Sequence, residues 1–144
     1  METSDQGIGL IKAFEGCRLV AYQDSVGVWT IGYGSTVNVA PGMQITQAQA
    51  EDRLKADLRG AEECINGLVH APLEQCQFDA LVSWTYNLGC GDLKKSTLLK
   101  MLNEKRYDDA SLEMRRWDRA GGVVLAGLTR RRMAEARLFD TEVT

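Results

Sequence analysis

The sequence predicts an α+β fold in which a small antiparallel sheet lies early in an otherwise helical chain. Two observations support this. The apolar residues lose their helical spacing at about residue 17, and they regain it after Pro41-Gly42. The strand-forming residues are therefore segregated in sequence from the helices, which is typical of α+β proteins. A chain of 144 residues suits a single domain, which we place at residues 1–144.

The first predicted elements are one helix and a hairpin. A helix is expected from Asp5, a candidate N-cap, to Gly16, because apolar residues recur there at helical spacing. Residues 17–38 are rich in β-branched and aromatic side chains interrupted by glycines, which predicts short antiparallel strands. A tight turn is expected at Asp24-Ser-Val-Gly27.

The rest of the chain is predicted to be helical. A capping box at Thr46-Gln-Ala-Gln49 opens a helix that extends to about Asn66. Pro72 restarts the chain before a second long helix that ends at Gly89. Shorter helices are predicted at residues 97–103, 107–117 and 129–138, with Gly121, Gly122 and Gly127 as joints between them.

Composition excludes several classes of protein. Hydrophobic residues make up 44% and charged residues 26%, as in ordinary globular proteins and unlike disordered ones. No apolar run approaches the ~20 residues that span a bilayer, and the start of the chain lacks the pattern of a secretory signal. Because the net charge is −3, we expect no nucleic-acid partner, although residues 111–144 carry seven basic and five acidic side chains.

Four cysteines and one histidine give no metal-binding pattern. Cys17, Cys64, Cys76 and Cys90 form no Cys-x-x-Cys pair, and His70 is the only imidazole, so we expect neither metal nor cofactor. Buried free thiols are the favoured interpretation, since cysteine is among the most buried residue types. Disulfides stay open, and the sequence does not choose among the three possible pairings.

The segregated sheet suggests where a site would lie. Residues 15–40 are too few to enclose a core, so we expect a small β lobe beside a larger helical lobe of residues 1–14 and 41–144. A cleft between two such lobes is a natural place for a ligand. Glu15 at the end of the first helix, Asp24 in the first turn and Thr30 on a strand are expected to converge there.

The surroundings of these three residues are more specific than their spacing. Residues 14–34 read Phe-Glu-Gly-x-x-Leu-x-Ala-Tyr-x-Asp-x-x-Gly-Val-Trp-Thr-Ile-Gly-Tyr-Gly. This segment resembles the catalytic segment of the phage-type lysozymes, glycoside hydrolase family 24. The resemblance continues in residues 86–89, 96–103 and 127–135, so it covers nearly the whole chain in the expected order.

The resemblance implies a lysozyme-like fold and an endolysin muramidase. Such an enzyme hydrolyses the β-1,4 bond between N-acetylmuramic acid and N-acetylglucosamine in peptidoglycan, here with inversion. This chemistry needs a proton for the leaving group and support for an oxocarbenium-like centre. Glu15 is expected to supply the proton, Asp24 to orient the water as an ionised carboxylate, and Thr30 to donate to that carboxylate or hold the water. Inversion predicts carboxyl groups about 6.5–9.5 Å apart.

The resemblance also implies residues that bind or support. Gly34, Tyr86 and Asn87 are expected to contact the sugar. One arginine of the run 130–132 is expected to approach the catalytic glutamate; Arg131 is our choice, whereas Arg130 suits a solvated face.

The biological setting and two alternatives follow from the same resemblance. It implies a monomeric phage protein made in the host cytoplasm that reaches the cell wall after a holin-type partner permeabilises the membrane, and then lyses the host. A lytic transglycosylase would need only the glutamate, and a noncatalytic peptidoglycan-binding or lysis-regulating protein would need only the fold. The presence of Asp24 and Thr30 beside Glu15 favours hydrolysis.

Overall fold

The computed structural model describes residues 1–142, and it confirms a mostly helical chain with small antiparallel sheets. The last two residues of the predicted domain lie outside this range. The helices are α1 (Asp5–Glu15), α2 (Gln47–Leu68), α3 (Gln75–Leu88), α4 (Cys90–Lys94), α5 (Thr97–Asn103), α6 (Tyr107–Arg115) and α7 (Ala126–Phe139). The strands are β1 (Arg18–Gln23), β2 (Trp29–Gly32), β3 (Arg119–Ala120) and β4 (Val123–Val124). Within residues 1–142, no helix combines the length and apolar character needed to cross a bilayer.

The chain folds as two compact units. The sheet unit comprises Gly9–Gly60, and the helical unit comprises Met1–Ile8 together with the chain from Ala61 onward. The predicted β lobe of residues 15–40 falls inside the sheet unit. The sheet unit also takes in most of α1 and the first part of α2.

The predicted hairpin is the centre of the sheet unit. β1 pairs antiparallel with β2, with Tyr22 opposite Thr30 and Gln23 opposite Trp29. A bulge interrupts the register between Arg18 and Tyr22. The connecting turn ends at Gly27, whose φ of 87° lies in the left-handed region that glycine adopts without steric cost.

Helices α1 and α2 begin at or close to the residues that local sequence rules predict. α2 starts with the predicted capping box: Gln49 N donates to Thr46 Oγ1 at 3.1 Å, and Thr46 N donates to Gln49 Oε1 at 2.9 Å. α1 begins one residue earlier than predicted, since Ser4 O accepts the first helical bond from Ile8 N, and Asp5 is already helical. The apolar positions of α2 are buried as expected: Ala50, Leu54, Leu58, Ala61 and Ile65.

The helical unit is built around α3. This helix buries eight consecutive residues, from Phe78 to Thr85, and ends at Gly89 as predicted. Trp84 is fully buried; its Nε1 donates to Met114 O at 3.2 Å, and its ring meets Trp117 edge to face at 5.3 Å. An indole with both an apolar contact and a hydrogen-bond acceptor is a well-satisfied core residue.

Several short elements differ from the sequence-based prediction. α4 and the β3–β4 hairpin were not predicted, because elements of five and two residues are too short to show a period. Gly121 and Gly122 form the turn of that hairpin instead of joining helices. Gly127 lies inside α7, which begins three residues before the predicted start.

The cysteines also differ from expectation. Cys64 on α2 and Cys90 at the start of α4 form a disulfide, with Cα atoms 5.9 Å apart. Cys17 is free and exposed, and Cys76 is free and half-buried. The favoured interpretation of buried free thiols is therefore wrong. The pairing depends on a contact between residues that are 26 positions apart, and no local pattern reports such a contact.

Candidate active site

Asp24 is held by the turn that it begins. Its Oδ1 accepts hydrogen bonds from Val26 N and Val28 N, both at 2.9 Å. The backbone closes the same turn, since Asp24 N donates to Val28 O at 2.9 Å and Gly27 N donates to Asp24 O at 3.0 Å. One carboxylate oxygen is thus fixed by the chain. The side chain is half-buried, and its second oxygen, Oδ2, accepts no hydrogen bond from residues 1–142.

Thr30 shares a face of the hairpin with Asp24. Thr30 lies opposite Tyr22, and the backbone bond described above places Asp24 opposite Val28. Side chains of opposed residues point to the same face and alternate along each strand, so all four lie on one face, with Asp24 and Thr30 as diagonal neighbours. Thr30 is 4% exposed, and its Oγ1 donates to Val28 O at 3.0 Å. Its hydroxyl hydrogen is therefore directed to the backbone and not to Asp24.

Glu15 is the last residue of α1 and is half-buried. Gly16 follows with φ 66°, and its N–H donates to Lys12 O at 3.0 Å, which terminates the helix and turns the chain into β1. The carboxyl group is therefore carried at the end of a regular element, where its position depends on how α1 is held.

A polar network holds the last turn of α1. Lys12 forms an ion pair with Glu51 of α2. Tyr33 donates its hydroxyl to Glu51 Oε1 at 3.4 Å, and Gln47 Nε2 donates to the Tyr33 hydroxyl oxygen at 2.8 Å. The hydrogen bonds from Lys12 and Gln47 lower the pKa of Glu51 from its ordinary value, whereas burial raises the pKa of Tyr33. The network ties α1, α2 and the loop after β2 to one another.

Gly34 lies in that loop. Ile31 and Ser35 exchange two backbone hydrogen bonds of 2.9 Å, which makes residues 31–35 a tight turn. Gly34 has φ 81°, a conformation that a residue with a Cβ rarely adopts. The predicted sugar contact is thus a backbone surface next to Tyr33.

A second polar cluster, fully buried, belongs to the helical unit. Glu135 Oε2 accepts hydrogen bonds from Ser83 Oγ at 2.5 Å and from Arg131 Nε at 3.2 Å. Arg132 Nε lies 2.8 Å from Glu135 Oε1 in an ion pair. Burial raises the pKa of Glu135, while its two arginine neighbours and Ser83 act in the opposite direction. The cluster connects α7 to α3 in the interior of the helical unit.

The predicted residues Tyr86 and Asn87 lie on the last turn of α3. Tyr86 is half-buried and Asn87 is exposed. Asn87 Oδ1 accepts a hydrogen bond of 2.7 Å from Arg132 Nη2. The side chain of Asn87 is therefore connected to the buried cluster although it faces solvent.

The three consecutive arginines 130–132 point to different sides of α7, as the helical period requires. Arg130 is exposed, as predicted, whereas Arg131 and Arg132 are 4% and 0% exposed. Sequence reasoning selected Arg131 and missed Arg132 and Glu135. The signal was available in the spacing, because a glutamate three and four residues after two arginines faces both on a helix.

The predicted site residues fall into two groups. Glu15, Asp24, Thr30 and Gly34 lie in the sheet unit. Tyr86, Asn87 and Arg131 lie in the helical unit. Within residues 1–142, no cluster of three or more His, Cys, Asp or Glu side chains is arranged to hold a metal ion.

Comparison with known proteins identifies the fold and the family. The phage lysozyme family matches residues 12–135. An endolysin of Acyrthosiphon pisum secondary endosymbiont phage 1 is 43% identical over 98% of this chain and 99% of its own length. The endolysin of Salmonella phage P22 is 42% identical over 94% of this chain and 97% of its own length. Among solved structures, the muramidase domain of SpmX from Asticaccaulis excentricus has a TM-score of 0.93 at 42% identity, covering 98% of this chain and 99% of that one.

These matches extend well beyond the segment that first indicated the family. They confirm the lysozyme-like α+β fold and the phage endolysin relationship. Since the family match spans residues 12–135, this protein belongs to the phage lysozyme family and is a hydrolase of the lysozyme (muramidase) type.

Proposed function

We propose that this protein is an inverting endolysin muramidase that hydrolyses the β-1,4 bond between N-acetylmuramic acid and N-acetylglucosamine. Glu15 acts as the general acid, and Asp24 and Thr30 hold the attacking water. The observation that carries the proposal is the shared hairpin face of Asp24 and Thr30, with Asp24 Oδ1 fixed by two backbone N–H groups. A fixed carboxylate and a neighbouring hydroxyl suit the placement of one water molecule.

The hydrogen-bond directions support a defined role for each oxygen. Because Thr30 donates its only hydroxyl hydrogen to Val28 O, its oxygen acts as an acceptor toward water. The water donates one hydrogen to Asp24 Oδ2 and the other to Thr30 Oγ1, so that a lone pair is left for the anomeric carbon. Asp24 takes the proton as the carbon–oxygen bond forms, while Glu15 protonates the leaving oxygen.

The remaining proposed residues bind or support. Gly34, Tyr86 and Asn87 contact the sugars, and Arg131 supports the acid. Arg131 is buried and held by Glu135, which suits a structural cation that does not move during the reaction.

The proposed setting is that of the relatives. Proteins 42–43% identical to this chain are phage endolysins. We place synthesis in the host cytoplasm and action on the cell wall, with access through a holin-type permeabiliser. Residues 1–144 work as one lysozyme domain in a monomer.

A turbidity assay on purified cell walls tests the acid. Glu15→Gln keeps the size of the side chain but has no proton to deliver, so clearing should slow by a factor on the order of 10² to 10⁴. Glu104→Gln, at the exposed C-terminal end of α5, is the matched control and should clear walls at the wild-type rate. Equal clearing by wild type and Glu15→Gln would remove the acid role from Glu15.

Product analysis tests the reaction class. Hydrolysis with inversion should give new reducing ends, and early proton NMR spectra should show the α-anomer before mutarotation. Anhydro-sugar ends would instead identify a lytic transglycosylase. An initial β-anomer would remove the water-orienting role from Asp24.

A further inference from the structure

The contact between Asn87 and Arg132 fixes the polarity of an exposed amide. Arginine has five N–H donors and no acceptor, so only the carbonyl oxygen of Asn87 can bond to it. Arg132 Nη2 donates to Asn87 Oδ1 at 2.7 Å. The Nδ2 group of Asn87 therefore points away from the guanidinium, on an exposed residue, and makes no hydrogen bond within residues 1–142.

Arg132 cannot turn away to release this amide. It is 0% exposed, and its Nε and Nη2 lie 2.8 Å and 3.4 Å from the two carboxylate oxygens of Glu135. Glu135 is held in turn by Ser83 and Arg131. Rotating the amide of Asn87 by half a turn would set its N–H groups against a guanidinium and break a charge-assisted hydrogen bond, one of the stronger classes in proteins.

We propose that Arg132 is a positioning residue that makes Asn87 an obligate hydrogen-bond donor, and that Asn87 thereby recognises the carbonyl oxygen of an acetamido group on the glycan. This inference rests on the proposed function, in which Asn87 contacts the sugar. A sugar hydroxyl can donate or accept, so it would bond to either end of an amide. The carbonyl oxygen of an acetamido group can only accept a hydrogen bond, so it can bond to the Nδ2 group of Asn87 but not to an amide oxygen in its place.

The chemistry predicts which glycan is rejected. Removing the acetyl group leaves an ammonium, which is itself a donor, and it would face the N–H groups of Asn87 without an acceptor between them. Sites that hydrogen-bond a ligand group discriminate strongly against analogues that leave their polar atoms unpaired. Asn87→Asp would keep an oxygen for Arg132 and offer its second oxygen to the ammonium.

Binding to two soluble glycans tests the proposal. The probes are peptidoglycan strands that are either fully N-acetylated or de-N-acetylated at both of their amino sugars. Titration calorimetry on Glu15→Gln measures Kd without turnover. We expect Glu15→Gln to prefer the acetylated strand about tenfold or more, and Glu15→Gln with Asn87→Asp to lose or reverse that preference. Glu15→Gln with Asn66→Asp, an exposed site with the same change of charge, should keep it.

Two further measurements test whether Arg132 acts by positioning Asn87. They are the steady-state kinetics of Asn87→Asp and the glycan preference of Arg132→Lys. In the Glu15-containing enzyme, Asn87→Asp should raise KM on the acetylated strand and leave kcat near the wild-type value. Arg132→Lys, which cannot form the same fork of hydrogen bonds, should also weaken the preference although it lies inside the protein. An unchanged Kd ratio in Asn87→Asp would overturn the inference. An inactive wild type that still prefers the acetylated strand would overturn the proposed function and leave the inference standing.

Discussion

Hydrogen-bond direction at single residues decides most of what the site can do. Asp24 accepts two backbone N–H groups through one oxygen, so the turn that orients the carboxylate leaves the other oxygen for a ligand. Thr30 donates its hydrogen to the backbone and is left as an acceptor. In both residues, a hydrogen bond to the nearby backbone occupies one atom of the side chain. The oxygen that is left, Oδ2 of Asp24 or Oγ1 of Thr30, can then accept a hydrogen bond from a ligand or water.

A substitution at Thr30 tests this assignment. Thr30→Val keeps the shape of the side chain in β2 but removes the oxygen, and we expect kcat to fall by a factor on the order of 10². Thr30→Ser keeps the oxygen and should retain most of the activity. Both variants should unfold close to the wild-type temperature, with circular dichroism as the measurement. Wild-type kcat in Thr30→Val would show that this hydroxyl does not hold the water.

At the scale of elements, polar side-chain contacts connect α1 to α2 and α7 to α3. Lys12 of α1 and Glu51 of α2 form an ion pair one turn before Glu15, and Tyr33 and Gln47 complete the network. The position of the proposed acid therefore depends on side chains that take no part in the chemistry. In the helical unit, Glu135 serves α7 and α3 in the same way.

The pKa of Glu51 gives the network a pH dependence with a definite sign. This pKa is lowered in the folded protein, chiefly by the hydrogen bond from Lys12, so the carboxylate stabilises the fold at pH values above its ordinary pKa of 4.5. The stabilisation is lost as the pH falls from there through the lowered folded-state pKa. Urea unfolding should show wild type to be more stable than Glu51→Gln at neutral pH, with a difference that shrinks in acid.

The control lies on the same helix. Glu63→Gln, at an exposed position of α2, should show no comparable dependence on pH. A gap between wild type and Glu51→Gln that stays constant down to strongly acid pH would contradict the assignment to the Lys12 contact.

At the scale of the whole molecule, one covalent link restricts the unfolded chain. The disulfide between Cys64 and Cys90 closes a loop across a sequence separation of 26 residues. In the chain-entropy description, a loop of this length stabilises the fold by about 3.5 kcal/mol, because the unfolded ensemble loses conformations. The link also fixes the start of α4, immediately after the turn that ends α3.

Reduction should therefore lower the stability of the whole protein. We expect a reductant to decrease the free energy of unfolding by about 3.5 kcal/mol, measured by urea titration. A variant with Cys17→Ser and Cys76→Ser, which lacks the free thiols, should show the same decrease. A reductant that leaves the urea midpoint of that variant unchanged would exclude the disulfide as a source of stability.

Local rules were sufficient where an element is long or is marked by a turn residue. The capping box of α2, the end of α3 at Gly89 and the hairpin of β1 and β2 all follow from neighbouring residues. The short α4 and the β3–β4 hairpin do not, because two to five residues cannot show a hydrophobic period. The proposed catalytic residues were found through the sequence pattern around them.

The sequence by itself determined the order and type of the long elements, the family and the identity of the proposed acid, carboxylate and hydroxyl. Those features depend on side-chain chemistry and on spacing along the chain. Only the tertiary structure decided that Cys64 pairs with Cys90, that Arg132 fixes the amide of Asn87 and that Thr30 donates to Val28. Two of these contacts join residues far apart in sequence, and the third depends on a rotamer, so their energies are set by packing in three dimensions.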